Sequence, residues 1–134
     1  MRVLALDYGS SRCGIALADP TGTIATPLEP IERVATRAGL GRLAAVVRER
    51  GVELIVIGLP LSLAGSETAQ TRETREFAER VRARLPQVPV ELYDERLTTR
   101  LAARDLSRLA SEDSRAAAHL LESWLAARFR GSER

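Results

Sequence analysis

The chain has 134 residues, 45% of them hydrophobic, which suffices for one domain (1–134) with its own core and argues against disorder. Its net charge of +2 does not by itself assign a nucleic-acid partner, although all 20 basic residues are arginine, whose planar fork grips phosphate as lysine cannot. One cysteine (Cys13) and one histidine (His119) leave no intrachain disulfide and no His/Cys zinc cluster, and the early Asp7 and the lack of any run near the roughly 20 apolar residues of a membrane span point to the cytoplasm.

Val3 to Leu6 reads as a buried strand ending in Asp7, followed by the turn Tyr8-Gly9-Ser10-Ser11. Gly14 to Ala18 returns as its hairpin partner. After the turn Asp19-Pro20-Thr21-Gly22, a third strand falls within Thr23 to Ile31, where Pro27 and Pro30 suggest an edge position or an early end. From Ala35 to Arg50 the period becomes helical, with Leu40, Leu43, Val46 and Val47 on one face and Gly51 as the stop. Leu54 to Ile57 is apolar on both faces, as in a central parallel strand. A loop from Gly58 to Thr68 precedes a helix over Thr71 to Leu85, with Phe77, Val81 and Leu85 on its stripe. The fifth strand, Val88 to Tyr93, runs into Asp94-Glu95. Helices over Thr98 to Leu109 and Asp113 to Phe129 finish the chain, the latter burying Ala117, Leu120, Leu121, Trp124 and Leu125. The order βββ-α-β-α-β-α-α predicts an α/β fold. Three antiparallel strands plus two parallel ones form a mixed five-stranded sheet with helices on both faces, the layout of a ribonuclease H-like domain.

Carboxylates stand where such a sheet gathers its ligands, at the carboxyl ends of strands. Asp7 closes the first strand, Asp94 and Glu95 close the fifth, and Asp113 opens the last helix. Crowded together they would repel unless cations neutralised them, and all-oxygen donors suit magnesium or manganese. Each also has a plain structural role open to it. Asp7 can be a turn former, Asp94 and Glu95 can be surface charges paired with Arg96, and Asp113 can cap the last helix in competition with Ser111.

The Asp-x-Gly-Ser-Ser-x-x-Gly hairpin from Asp7 to Gly14 is similar to the first phosphate loop of actin-like ATPases, but that reading needs a second domain, for which the chain is too short. The Gly58–Ser66 loop leads into a helix N-terminus, a natural place for phosphate. Arg96, Arg100, Arg104 and Arg108 recur every fourth residue, forming either a track for a nucleic-acid backbone or a solvated face. Few aromatics are available for stacking on bases, so recognition would rest on phosphates and shape. Cys13 and His119 read as structural.

Several segments together resemble one family: Leu4-Ala5-Leu6-Asp7-Tyr8-Gly9-Ser10-Ser11-Arg12-Cys13-Gly14-Ile15-Ala16, Ile57-Gly58-Leu59-Pro60-Leu61, Asp94-Glu95-Arg96-Leu97-Thr98-Thr99, Asp113-Ser114 with Ala116-Ala117, and Leu120-Leu121-Glu122-Ser123-Trp124-Leu125. They look like the YqgF-type family of pre-16S rRNA nucleases and Holliday junction resolvases. The resemblance implies a ribonuclease H-like, metal-dependent endonuclease whose acidic residues match Asp7, Glu95 and Asp113; these would bind Mg2+ or Mn2+, with Asp94 as a helper on the reading of the residues themselves. Arg12 matches the family's basic residue in the first hairpin turn, and Arg96, Arg100 and Arg104 would add phosphate contacts. The expected partner is structured RNA, with processing of the 5' end of pre-16S rRNA as the leading function. Resolution of branched DNA, which would call for a dimer, and a non-catalytic ribosome-assembly module that binds RNA are the alternatives. Only Arg100 to Glu112 separate Thr99 from Asp113, where family members usually carry a longer basic segment, and Glu112 stands where a neutral or basic residue is more typical.

Overall fold

Five strands form one sheet in the order β3-β2-β1-β4-β5. The computed structural model describes residues 1–97 and 112–132, with the backbone alone at 97, 112–113 and 129–132. The strands are β1 (Val3–Asp7), β2 (Arg12–Ala18), β3 (Ala25–Glu32), β4 (Leu54–Leu59) and β5 (Val90–Asp94). Antiparallel pairing joins β1 to β2 and β2 to β3, and parallel pairing joins β1 to β4 and β4 to β5, as the sequence predicts. The helix expected over 98–109 lies outside the described residues.

Alternation along each strand sorts the core into two layers. Leu4, Leu6, Ile15, Leu17, Ile55 and Ile57 pack with α1 (Arg37–Arg50) and α2 (Ala69–Arg84). Val3, Ala5, Ala16, Ala18 and Val56 pack with the last helix, α3 (Glu112–Ser132). Alanines on that second face let α3 lie close to the sheet, and Ala117, Leu120, Leu121 and Trp124 seal the contact. Trp124 also donates its indole N–H to Glu91, and Tyr93 hydrogen-bonds Ser123, so β5 is tied to the same helix.

The element ends move for identifiable reasons. Helix α1 begins at Arg37, not Ala35, because Thr36 caps it by accepting from the Gly39 N–H. Gly51 closes it in the left-handed conformation (φ 63°). Helix α2 begins at Ala69, two residues early, because Thr68 and Thr71 form a reciprocal cap. Val88 bonds back to the Leu85 carbonyl and so belongs to a turn before β5. Strand β4 runs on to Leu59, so Gly58, expected in a loop, is paired with Tyr93. Helix α3 is described from Glu112 on, so Asp113 lies within the helix rather than at its cap.

Strand β3 passes through both Pro27 and Pro30, which an edge strand tolerates. Its register slips against β2: Cys13 faces Ile31, but Ile15 faces Leu28, so β3 carries one extra residue there.

Two glycines of α1 give opposite expectations. A Cβ on Gly39 would fall 2.2 Å from the Arg33 carbonyl oxygen, whereas one on Gly41 meets nothing within 4 Å. Gly41→Ala should therefore stabilise the protein by about 0.5–1 kcal/mol, the ordinary helix gain. Gly39→Ala should destabilise it, by roughly 1–3 kcal/mol, as overpacking does. Urea unfolding of the two variants checks both signs.

Candidate active site

Parallel pairing brings the carboxyl ends of β1, β4 and β5 to one edge of the sheet, with Leu6 beside Ile57 and Leu59 beside Asp94. Asp7 alternates in phase with Val3 and Ala5 and so lies on the α3 face. Glu95 begins the single 3-10 turn Glu95–Leu97 that follows β5. Strand β5 is two places from β1, roughly 10 Å away, so the two carboxyls can meet only if one crosses β4. Gly58 provides the crossing. A Cβ there would fall 2.6 Å from Glu95 Oε1, 2.9 Å from its Cγ and 3.1 Å from Leu120 Cδ2. Glu95 lies in the gap left by the missing side chain and hydrogen-bonds Asp7.

This pairing sets the charge state. Burial, then repulsion from Asp7, the hydrogen bond to Asp7 and repulsion from Asp94 together push the Glu95 carboxyl up to about 7. Two carboxyls in hydrogen bond share a proton, and a divalent cation could take the place of that proton. The donors are all oxygen, which fits magnesium or manganese. Among the described residues no group of three or more metal-ligating side chains occurs. The third expected ligand, Asp113, has its backbone in α3, and its side chain lies outside the described residues.

Asp94 is placed differently from Glu95. Its carboxylate takes a forked contact from Arg96, at 3.1 Å from Nε and 2.6 Å from Nη2, and also accepts the Arg96 backbone N–H at 2.9 Å. These bonds hold its carboxyl below the usual range. The ion pair with Arg96 that the sequence allowed for Asp94 is thus formed. Arg96 sits in the 3-10 turn with its guanidinium bound to Asp94. Its Nη1 reaches the Leu63 carbonyl at 3.4 Å and would lie 3.1 Å from a Cβ on Gly65 (φ +87°), so it braces the loop after β4. Arg100 and Arg104 lie outside the described residues.

Arg12 is exposed at the start of β2, two residues before Gly14, the cross-strand partner of Asp7. The 60–68 loop folds on itself: Gly65 N–H donates to the Ser62 carbonyl and Ser66 N–H to Ser62 Oγ. The first turn of α2 is closed by its own threonines, and Thr71 donates back to the Pro60 carbonyl. Cys13 is buried on the opposite face, among the α1 and α2 contacts. Burial, then Arg115, lowers the proton affinity of His119. Sequence reasoning missed Gly58, whose signal was a glycine inside an apolar run, and Ser114, a fully buried polar residue next to Asp113.

A family model described as "RuvX: Holliday junction resolvase" matches residues 1–127. The chain belongs to the RuvX family. This is the YqgF-type family that the motifs resemble, and it is a family of nucleases. A protein of Corynebacterium jeikeium named "Putative pre-16S rRNA nuclease" is 39% identical over 137 residues, covering 96% of this chain and 88% of its own. One of the same name from Anaeromyxobacter is 44% identical over 135 residues, covering 93% and 96%. Among solved structures, Thermus thermophilus RuvC in complex with a Holliday junction substrate superposes with a TM-score of 0.67 at 15% identity, covering 97% of this chain and 96% of that one. That likeness establishes the ribonuclease H-like fold.

The Asp7–Glu95 pair generates two predictions. The folded, metal-free chain holds the Glu95 proton more tightly than the unfolded chain, whose ordinary value is 4.5. This group's contribution to stability is therefore complete below about pH 4.5 and is lost as the pH rises through 7. Glu95→Gln, which cannot ionise, should flatten that slope and raise the melting temperature at pH 8 by about 4 °C, read by calorimetry in chelator. Gly58→Ala should expel Glu95 from its place and weaken Mn2+ binding by about tenfold or more while circular dichroism stays unchanged.

Proposed function

We propose that this protein hydrolyses phosphodiesters in structured RNA, as a metal-dependent endonuclease that processes the 5' end of pre-16S rRNA in the cytoplasm. The observation that carries this reading is the Asp7–Glu95 pair at the carboxyl edge of the sheet, where burial and then Asp7 push the Glu95 carboxyl up to about 7. The names borne by the 39–44% identical relatives support the substrate class.

Asp7 and Glu95, with Asp113 from α3, would hold a Mg2+ or Mn2+ ion. When bound, such an ion acidifies a water and neutralises the scissile phosphate. The chain's own residues do the rest. Glu95 and Asp7 lose their shared proton on binding, so occupancy should rise with pH through about 7. Arg12, exposed at the start of β2, would take a phosphate oxygen. Asp94, neutralised by Arg96, keeps the loop in place and is assigned no ligand role here.

A second reading is resolution of a four-way DNA junction. The family description and the fold shared with RuvC favour it. It requires two symmetric cuts and so a dimer.

The test incubates wild type and Asp7→Asn with labelled pre-16S RNA leader and, in parallel, with a four-way DNA junction, each with Mg2+, Mn2+ or chelator. Wild type should cut the RNA only with metal, and Asp7→Asn should be slower by at least about a hundredfold. Cutting of the junction alone would give the function to the second reading. Tight RNA binding without cutting would make the protein a non-catalytic assembly module.

A further inference from the structure

On the α1/α2 face of the sheet lies a shallow groove whose charged lining is arginine alone. It runs between the first turn of α1 and the end of α2, has a volume of about 440 Å3, and is lined by Ala35, Arg37, Leu40, Arg80, Ala83 and Arg84. Arg80 is fixed across it, because its Nη1 donates to the Ala35 carbonyl at 2.8 Å. That bond uses one of the five N–H donors of a guanidinium. Arg37 and Arg84 are exposed. Among the described residues none of the three arginines enters an ion pair, although Glu76 stands one turn before Arg80.

Three positive charges in one groove repel each other. Arg80 and Arg84 are four apart on α2, a spacing that brings like charges together. Arg37 opens α1 with no acid in that turn, so its charge adds to the positive end of the helix dipole. A solvated face can relieve such repulsion by pairing signs, as Arg82 and Glu79 do on the same helix. The groove instead calls for an anion, and guanidinium forks match phosphate oxygens. The rest of its lining is apolar, so its side chains can hold a sugar–phosphate backbone but have nothing to read bases with.

The groove is also close to the carboxylate pair. Tyr8 follows Asp7 and packs into the α1/α2 layer, where its ring stacks on Phe77 with centroids 4.5 Å apart. Arg80 stands about one turn beyond Phe77, near enough for its charge to act on the Tyr8 phenol, on which Glu73 and Glu76 act with the opposite sign. A nucleic-acid strand that rounds the sheet edge from Asp7 can therefore reach these arginines.

Resting on the proposed reading of a nuclease for structured RNA, we infer that Arg37, Arg80 and Arg84 form a second nucleic-acid contact, which holds the phosphate backbone of the substrate away from the cleavage point. They supply affinity, not chemistry, and read no sequence.

The test measures binding of labelled pre-16S RNA leader in chelator over a range of salt. Wild type is compared with Arg37→Gln/Arg84→Gln and with Arg48→Gln/Arg50→Gln, which removes the same charge from the last turn of α1. All four positions are exposed, and circular dichroism checks the fold. Arg80 is left in place because of its bond to Ala35. The groove pair should bind about tenfold more weakly. It should flatten the slope of log affinity against log salt by roughly 1.4–1.8, the share of two phosphate contacts. The Arg48/Arg50 pair should stay within about twofold of wild type. With metal present, the groove pair should raise KM for the RNA and hold kcat. Equal losses in both pairs would mean diffuse attraction to net charge and would overturn the inference. An unchanged slope in the groove pair would overturn it as well, leaving the arginines to an acidic protein or to water. Groove-dependent binding with no cleavage under any metal would sink the nuclease reading and leave the groove standing. Metal-dependent cleavage with a groove pair indistinguishable from wild type would do the reverse. A wild type that binds no RNA would overturn both.

Discussion

Like charges avoid each other, and a carboxyl that crosses a neighbouring strand to hydrogen-bond another must be held there. In this sheet the crossing is possible only because β4 has no side chain at Gly58. Glu95 occupies that space, with Leu120 of α3 behind it, and faces Asp7 in a setting that favours the protonated form. Everything else near the edge serves this contact. The parallel register brings the three strand ends level, and α3 covers the pair.

The arrangement also separates two adjacent acids into different tasks. Asp94 and Glu95 are sequence neighbours, yet Asp94 turns to Arg96 and Glu95 turns inward. A third full negative charge beside Asp7 and Glu95 would raise the electrostatic cost, and the forked arginine removes most of it. The same arginine pins the loop after β4 through the Leu63 carbonyl. One exposed ion pair thus neutralises a charge and fixes a loop, although as a surface pair it adds little stability of its own.

Much of the fold was legible because its signals are local and repetitive. The period-2 and helical patterns gave the five strands, both described crossover helices and the last helix, and Pro27 and Pro30 marked the edge strand correctly. Element ends were less legible, since Thr36 and Thr68 set them through caps that compete with neighbouring threonines and serines. At the site, Asp7 and Glu95 were visible as acids ending strands. Their meeting was not, because it depends on Gly58, two strands' worth of register and a helix face together. Of the arginine period, Arg96 lies in the 3-10 turn after β5, and Arg100, Arg104 and Arg108 fall outside the described residues.

The prolines that mark β3 as an edge also decide how the sheet can grow. A foreign strand laid along β3 would find two backbone donors missing, at Pro27 and Pro30, and a local bend where the register slips. At the other margin, β5 keeps an N–H on every residue from Val90 to Asp94. Continuation of the sheet into a second chain is therefore discouraged along β3, whereas β5 retains its backbone donors. A pair of subunits joined through β5 would carry its two Glu95 residues close to the seam, whereas a pair joined over a helical layer would hold them apart.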